Sequence, residues 1–154
     1  MASGGLHFDV EFDGHEDMMF AFRKAAKELR GTDQQSEIYK VGPRTAKRIA
    51  IPALQAAASS GPPQAKKTVQ NLKAKRGRVP QVEFVNKAGN FTSRRWKGDQ
   101  PRWGAIYWGS LFGGSIYFGP KSTWIRTTVK AISPMVRREY QKGLTSLLRK
   151  ANLL

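Results

Sequence analysis

Between positions 102 and 119 the chain reads Arg-Trp-Gly-Ala-Ile-Tyr-Trp-Gly-Ser-Leu-Phe-Gly-Gly-Ser-Ile-Tyr-Phe-Gly, and this stretch constrains the fold more than any other. After Arg102 it carries no charge. Trp103, Tyr107, Trp108, Phe112, Tyr117 and Phe118 fall within sixteen positions, interleaved with glycine and serine. Aromatic and β-branched residues favour strands, and glycines mark bends or bulges in them. Gly113-Gly114 reads as a turn between two short strands, 105–112 and 115–118. So much apolar area needs cover. Two readings meet that need: a β-sheet core, or a sheet with one face or edge left for a neighbouring subunit, since aromatics concentrate at the centres of interfaces.

The rest of the chain supplies the layers around that sheet. Leu6, Phe8, Val10 and Phe12 alternate with His7, Asp9, Glu11 and Asp13, the period of a half-buried strand. Gly14 turns the chain. Met18, Phe22, Ala25, Ala26 and Leu29 then share one helical face, with Glu16 and Asp17 in the first turn and Gly31 as the stop signal. A second helical region runs from about 33 to 59. Gly42-Pro43 is expected to interrupt it, Pro43 suiting the first turn of a restarted helix, and Pro52 to kink it. Ala46, Ile49, Ala50, Ala53, Leu54 and Ala57 form its narrow apolar stripe. Residues 64–78 read as a short helix and an exposed basic loop, 79–85 as a strand, and 87–101 as a long, mobile basic loop. Finally Ile125, Val129, Ile132, Val136, Tyr140, Leu144 and Leu147 recur at spacings of three and four. They predict a helix of about six or seven turns at roughly 3.6 residues each, with Ser122 as its N-cap and Pro134 as a kink.

The fold class expected is therefore α+β, in one domain over 1–154: a small antiparallel sheet packed against two or three helices, with a long C-terminal helix. Length and the 40% hydrophobic content suffice for one core.

Charge narrows the function. The chain carries a net charge of +16 and a pI near 10.6, which points to an anionic partner. Five of the eleven acids lie between Asp9 and Asp17. The basic residues gather elsewhere: Lys66, Lys67, Lys73, Lys75, Arg76 and Arg78, then Arg94 and Arg95, then the last helix. Solvated faces would account for this segregation. So would an acidic edge of one subunit meeting a basic face of the next, the heterologous contact that closes a ring. Phe91-Thr-Ser-Arg-Arg-Trp-Lys also interleaves cations with aromatics, which suits single-stranded nucleic acid.

Several chemistries are excluded or unsupported. There is no cysteine, hence no disulfide or thiolate metal site. The two histidines, His7 and His15, lie in a strand–turn–helix region where alternation puts His7 on the solvent face, a poor start for ligation. No phosphate-binding loop is present, because Gly-Ser-Leu-Phe-Gly-Gly-Ser lacks the lysine and helix start that follow one. No secretory leader or membrane-length apolar window is seen, so a soluble protein made in a cytoplasm is expected. No catalytic residue, metal or cofactor is expected.

The ordered features resemble the neck, or tail-completion, proteins of long-tailed bacteriophages. Phe22-Arg-Lys-Ala-Ala-Lys-Glu-Leu29 is similar to that family's first amphipathic helix. Ala50-Ile-Pro-Ala-Leu-Gln-Ala-Ala-Ala58, followed by Gly61-Pro62, is similar to its alanine-rich second helix. Arg78-Val-Pro80, then Trp108-Gly-Ser-Leu-Phe-Gly-Gly114, looks like its strand and aromatic-glycine segment, and Trp124-Ile-Arg126 opens a comparable terminal helix. The chain departs from the family's pattern at Gln64-Ala-Lys-Lys67, where Thr-Gly is usual, and at Leu111, where an acid is common. The resemblance implies a non-enzymatic virion subunit at the head–tail junction, in a ring that is often sixfold, between connector and tail proteins around the path of the DNA. Tail terminators share similar folds and sizes. The candidate subunit interface comprises Asp9, Glu11 and Asp13 on the acidic side and Trp96, Trp103, Tyr107, Trp108 and Phe112 as the apolar area. The basic residues named above are the candidates to face DNA or an acidic partner. A different class, a basic nucleic-acid-binding module, accounts for the charge equally well.

Overall fold

The computed structural model describes residues 7–61, 65–85 and 124–154. In these residues strand β1 (His7–Val10) leads to helix α1 (His15–Glu28). A 3-10 turn (Gln35–Glu37) opens α2 (Ile38–Thr45), and a π-helical turn (Ala46–Ala50) joins it to α3 (Ile51–Ser59). The short α4 (Ala65–Thr68), strands β2 (Leu72–Ala74) and β3 (Val82–Val85), and helix α5 (Trp124–Lys150) complete the order. The sheet is antiparallel throughout, in the order β1-β3-β2. The architecture is α+β, as expected. The aromatic-glycine stretch, the segment 87–101 and Ser122 lie outside the described residues.

Strand register explains the sheet's two faces. Val10 pairs with Val82, which pairs with Ala74, and Val10 and Val82 are buried. Asp9 pairs with Glu83, which pairs with Lys73, and this row carries the opposite face. The alternation read from the sequence therefore sets which face meets the helices. Phe12, beyond the strand end, keeps the apolar phase and is also buried.

Gly14, at φ 86°, then reverses the chain into α1. A left-handed conformation strains any residue with a Cβ, and a Cβ here would also approach Arg137 Cδ to 3.1 Å. Met18, Phe22, Ala25 and Leu29 are buried along α1. Helix α5 packs against α1, α2 and α3, so it is the central strut of the helical layer. Its 27 residues make about seven and a half turns, and about 40 Å at 1.5 Å per residue. The buried positions are Ile125, Val129, Ser133, Val136, Tyr140, Leu144 and Leu147. Each fully buried large apolar side chain contributes roughly 1.5–3 kcal/mol, so this stripe adds substantially to the cohesion of the core.

Three expectations are corrected. Gly42-Pro43 does not interrupt the second helical region: Pro43 lies inside α2. The Cδ of a proline crowds the N–H and the Cβ of a preceding helical residue, and Gly42, which has no Cβ, removes part of that clash. Gly42 is also where α2 meets the chain entering β3, since a Cβ there would sit 2.9 Å from the Val79 carbonyl group. The irregularity comes instead at Ala46–Ala50, where the Ile51 N–H reaches back to the Ala46 carbonyl. That wider turn lies just before Pro52, which has no N–H to offer the Arg48 carbonyl. It also resets the stripe: Ala46, Ala50, Leu54 and Ala58 are the buried residues, at intervals of four.

Second, residues 64–78 hold more than the short helix and exposed basic loop expected there. After α4 they form a 3-10 turn and the strand β2, which lies at one end of the strand order among the described residues. Three residues are too short for a period to register in the sequence. Third, the strand expected over 79–85 starts at Val82, with Val79 and Pro80 buried in its approach.

Two polar anchors tie α5 to the rest. The Ser133 hydroxyl donates to the Val129 carbonyl (2.6 Å) and accepts from the Asp13 N–H (2.9 Å), joining α5 to the β1–α1 turn. The Tyr140 hydroxyl, on a fully buried ring, donates to the Arg78 carbonyl. Burial pushes that phenol well above its ordinary pKa.

Candidate anion-binding surface

The cations marked from sequence divide by what surrounds them. Lys75 is held by Asp9 of its own chain, Nζ to Oδ2 at 2.5 Å, and this hydrogen bond raises its pKa. Lys73 stands opposite Glu83 in register. Lys66 and Arg78 are exposed, Arg78 using its backbone carbonyl to hold Tyr140. Arg76 goes elsewhere. It lines an open depression of about 310 Å³ with Tyr39, Lys40, Pro43, Arg44, Lys47 and Ala74. The side chain of Lys67 and all of Arg94 and Arg95 lie outside what is described.

Helical geometry builds the depression. Lys40, Arg44 and Lys47 are separated by four and three positions, so α2 and the π turn present them on one side. Tyr39 and Pro43 add apolar lining, and the Tyr39 ring meets Phe22 edge to face at 5.5 Å between centroids. Strand β2 brings Ala74 and Arg76 against this helix, about thirty positions along the chain. Glu37 compensates part of the charge, bonding Lys40 Nζ at 2.7 Å and lying 3.4 Å from Arg44 Nη2. The hydrogen bond from Lys40, with the positive charge of both neighbours, lowers the Glu37 pKa, so it stays ionised. Among the described residues Lys47 and Arg76 have no ion-pair partner. Four cations against one flanking acid leave the depression strongly positive.

The acidic candidates are partly engaged within the subunit. Asp9 takes Lys75, and Asp17 takes Arg137 at 3.1 Å. Glu11, Asp13 and Glu16 are exposed, and Asp13 uses only its backbone N–H, toward Ser133. Trp96, Trp103, Tyr107, Trp108 and Phe112 lie outside the described residues. The sequence reading missed Tyr39, Lys40, Arg44 and Lys47, although their spacing was visible as a basic helical stripe. Their link to Arg76 was not, since it depends on β2.

Among the described residues no group of three or more His, Cys, Asp or Glu side chains is placed to hold a metal ion, and no helix is long and apolar enough to cross a membrane. The fold and this surface together define a small α+β protein with a cationic depression. No family model, curated protein or solved structure matches the chain.

Proposed function

We propose that the protein is a structural, non-enzymatic subunit of the head–tail junction of a tailed bacteriophage, a neck or tail-completion ring component acting in the virion after assembly in the host cytoplasm. Its partners are copies of itself, in the sixfold ring that the resemblance implies, and the connector and tail proteins on either side of the DNA path. One observation carries the reading: the resemblance assigns a first amphipathic helix, an alanine-rich second helix and a long terminal helix, and α1, α3 and α5 occupy those stretches in that order. The exposed acids Glu11, Asp13 and Glu16, on a chain of net charge +16, supply the opposite signs that a head-to-tail ring contact uses. A tail-terminator ring of the same virion is the nearest variant of this reading.

Sedimentation velocity and negative-stain microscopy of the purified protein, alone and with its connector neighbours, test the proposal. A closed ring is expected. Replacing Glu11 and Asp13 by glutamine and asparagine weakens assembly at low salt, whereas Trp108→Ala weakens it at any salt, because exposed ion pairs are screened and apolar contacts are not. A protein that stays monomeric at every concentration and with every neighbour sinks the proposal. The cationic depression favours a second reading, a nucleic-acid-binding module, and monomeric binding to DNA would select it.

A further inference from the structure

We infer that the depression between α2 and β2 is a docking site for the phosphodiester backbone of a nucleic acid, with Arg44, Lys47 and Arg76 as its phosphate contacts. The inference stands apart from the ring proposal and holds whether the protein is a ring or a monomer.

Three observations converge on it. The surface is built from two elements about thirty positions apart, so its cations are brought together by the fold and not by a run in the sequence. Lys47 and Arg76 have no acid among the described residues, and Arg44 has only a long 3.4 Å contact to Glu37. Cations left adjacent and uncompensated repel one another, and a bound anion relieves that repulsion. The depression is open to solvent, with Tyr39 and Pro43 in its lining, which suits a polymer lying across it better than an enclosed small molecule.

Net charge selects the occupant. The acidic edge of a neighbouring copy could cover the depression, but pairing between identical subunits leaves each of them at +16. A polyanion from outside the assembly lowers that charge. A nucleic-acid backbone offers one negative charge per about 1.7 Å of duplex, and its condensed counterions are released on binding. The Arg guanidinium groups match phosphate oxygens bidentately, and Lys47 adds a point charge. Contacts to phosphate carry no sequence information, so the expected binding is independent of sequence.

The test is fluorescence anisotropy with a labelled duplex of about twenty base pairs, of mixed sequence, and a single strand of equal length, across a salt series. The depression variant is Arg44→Gln, Lys47→Gln and Arg76→Gln together. The control removes the same charge from exposed positions on α5: Arg126→Gln, Arg138→Gln and Lys150→Gln. All six side chains are exposed, so circular dichroism and Tm stay near those of the parent. On the duplex, the depression variant is expected to lose on the order of a hundredfold in affinity near 0.1 M salt, and its log–log salt slope to fall by about 2.7. On the single strand the slope falls by about 2.1. The control variant keeps its affinity within about threefold, as expected for cations outside the contact. Equal losses in both variants would assign binding to net charge alone and overturn the site. So would a depression variant that binds as the parent does. A depression variant that loses self-association while keeping nucleic-acid affinity would give the surface to a neighbouring subunit, which also overturns the inference.

Discussion

Ser133→Ala is the most informative change to the fold. Ser133 sits one residue before Pro134 on the buried side of α5, with 1% of its surface exposed. Its hydroxyl is both donor and acceptor, to the Val129 carbonyl at 2.6 Å and from the Asp13 N–H at 2.9 Å. Alanine keeps the helix and improves its intrinsic propensity by about 0.5 kcal/mol. The loss is larger. The Asp13 N–H, in the turn that joins β1 to α1, is deprived of this acceptor in a partly buried place. Leaving such a donor unsatisfied costs about 1–3 kcal/mol. The hydroxyl's bond back to Val129 is local to the helix, and that carbonyl retains its second lone pair, so it adds little. The net destabilisation is about 1–2 kcal/mol, which for a chain of this size lowers Tm by roughly 2–8 °C. Differential scanning calorimetry measures the shift, and Thr127→Ala on the exposed side of α5 serves as the control. Amide exchange at Asp13 gives a second readout, accelerating in the variant. A Tm equal to or above the parent's, with Asp13 exchange unchanged, would refute the argument that this bond holds the β1–α1 turn to α5.

Gly143→Ala places a Cβ 2.6 Å from Val41 Cγ1 at the crossing of α2 and α5, so it costs about 1–3 kcal/mol, and the pair Gly143→Ala with Val41→Ala recovers part of that loss in denaturant titrations. Tyr140 has its pKa raised in the folded state by burial, so its contribution is fully present below the unfolded value near 10 and is lost as pH rises above that. Stability measured above about pH 10 should therefore fall less steeply with pH in Tyr140→Phe than in the parent, and equal slopes count against the buried phenol as the cause. In Asp9→Asn the Lys75 ammonium, no longer held by the carboxylate, titrates at lower pH by NMR than in the parent; an unchanged titration removes the pair as the cause of the shift.

The sequence by itself determined the elements with long or strict periods. The alternation through Val10 set the core face of β1, Gly14 and Gly31 bounded α1, and the stripe from Ile125 to Leu147 gave α5 nearly its full length. These are local signals, because hydrophobic spacing within one element is fixed by that element's own geometry. Short or long-range features were not legible in the same way. Strand β2 has only three residues, so pairing with β3 defines it, and periodicity does not. Pro43 stayed within a helix because Gly42 precedes it, and the irregularity moved to the turn before Pro52. Ser133 carries no signal in the apolar spacing of α5, yet it is a bridge to a turn 120 positions away. The cationic depression shows the same division. The spacing of Lys40, Arg44 and Lys47 was written in the sequence, but Arg76 joins them only because β2 packs against the π turn and the chain leaving it lines the same depression, and charge becomes a surface only when the backbone brings it together.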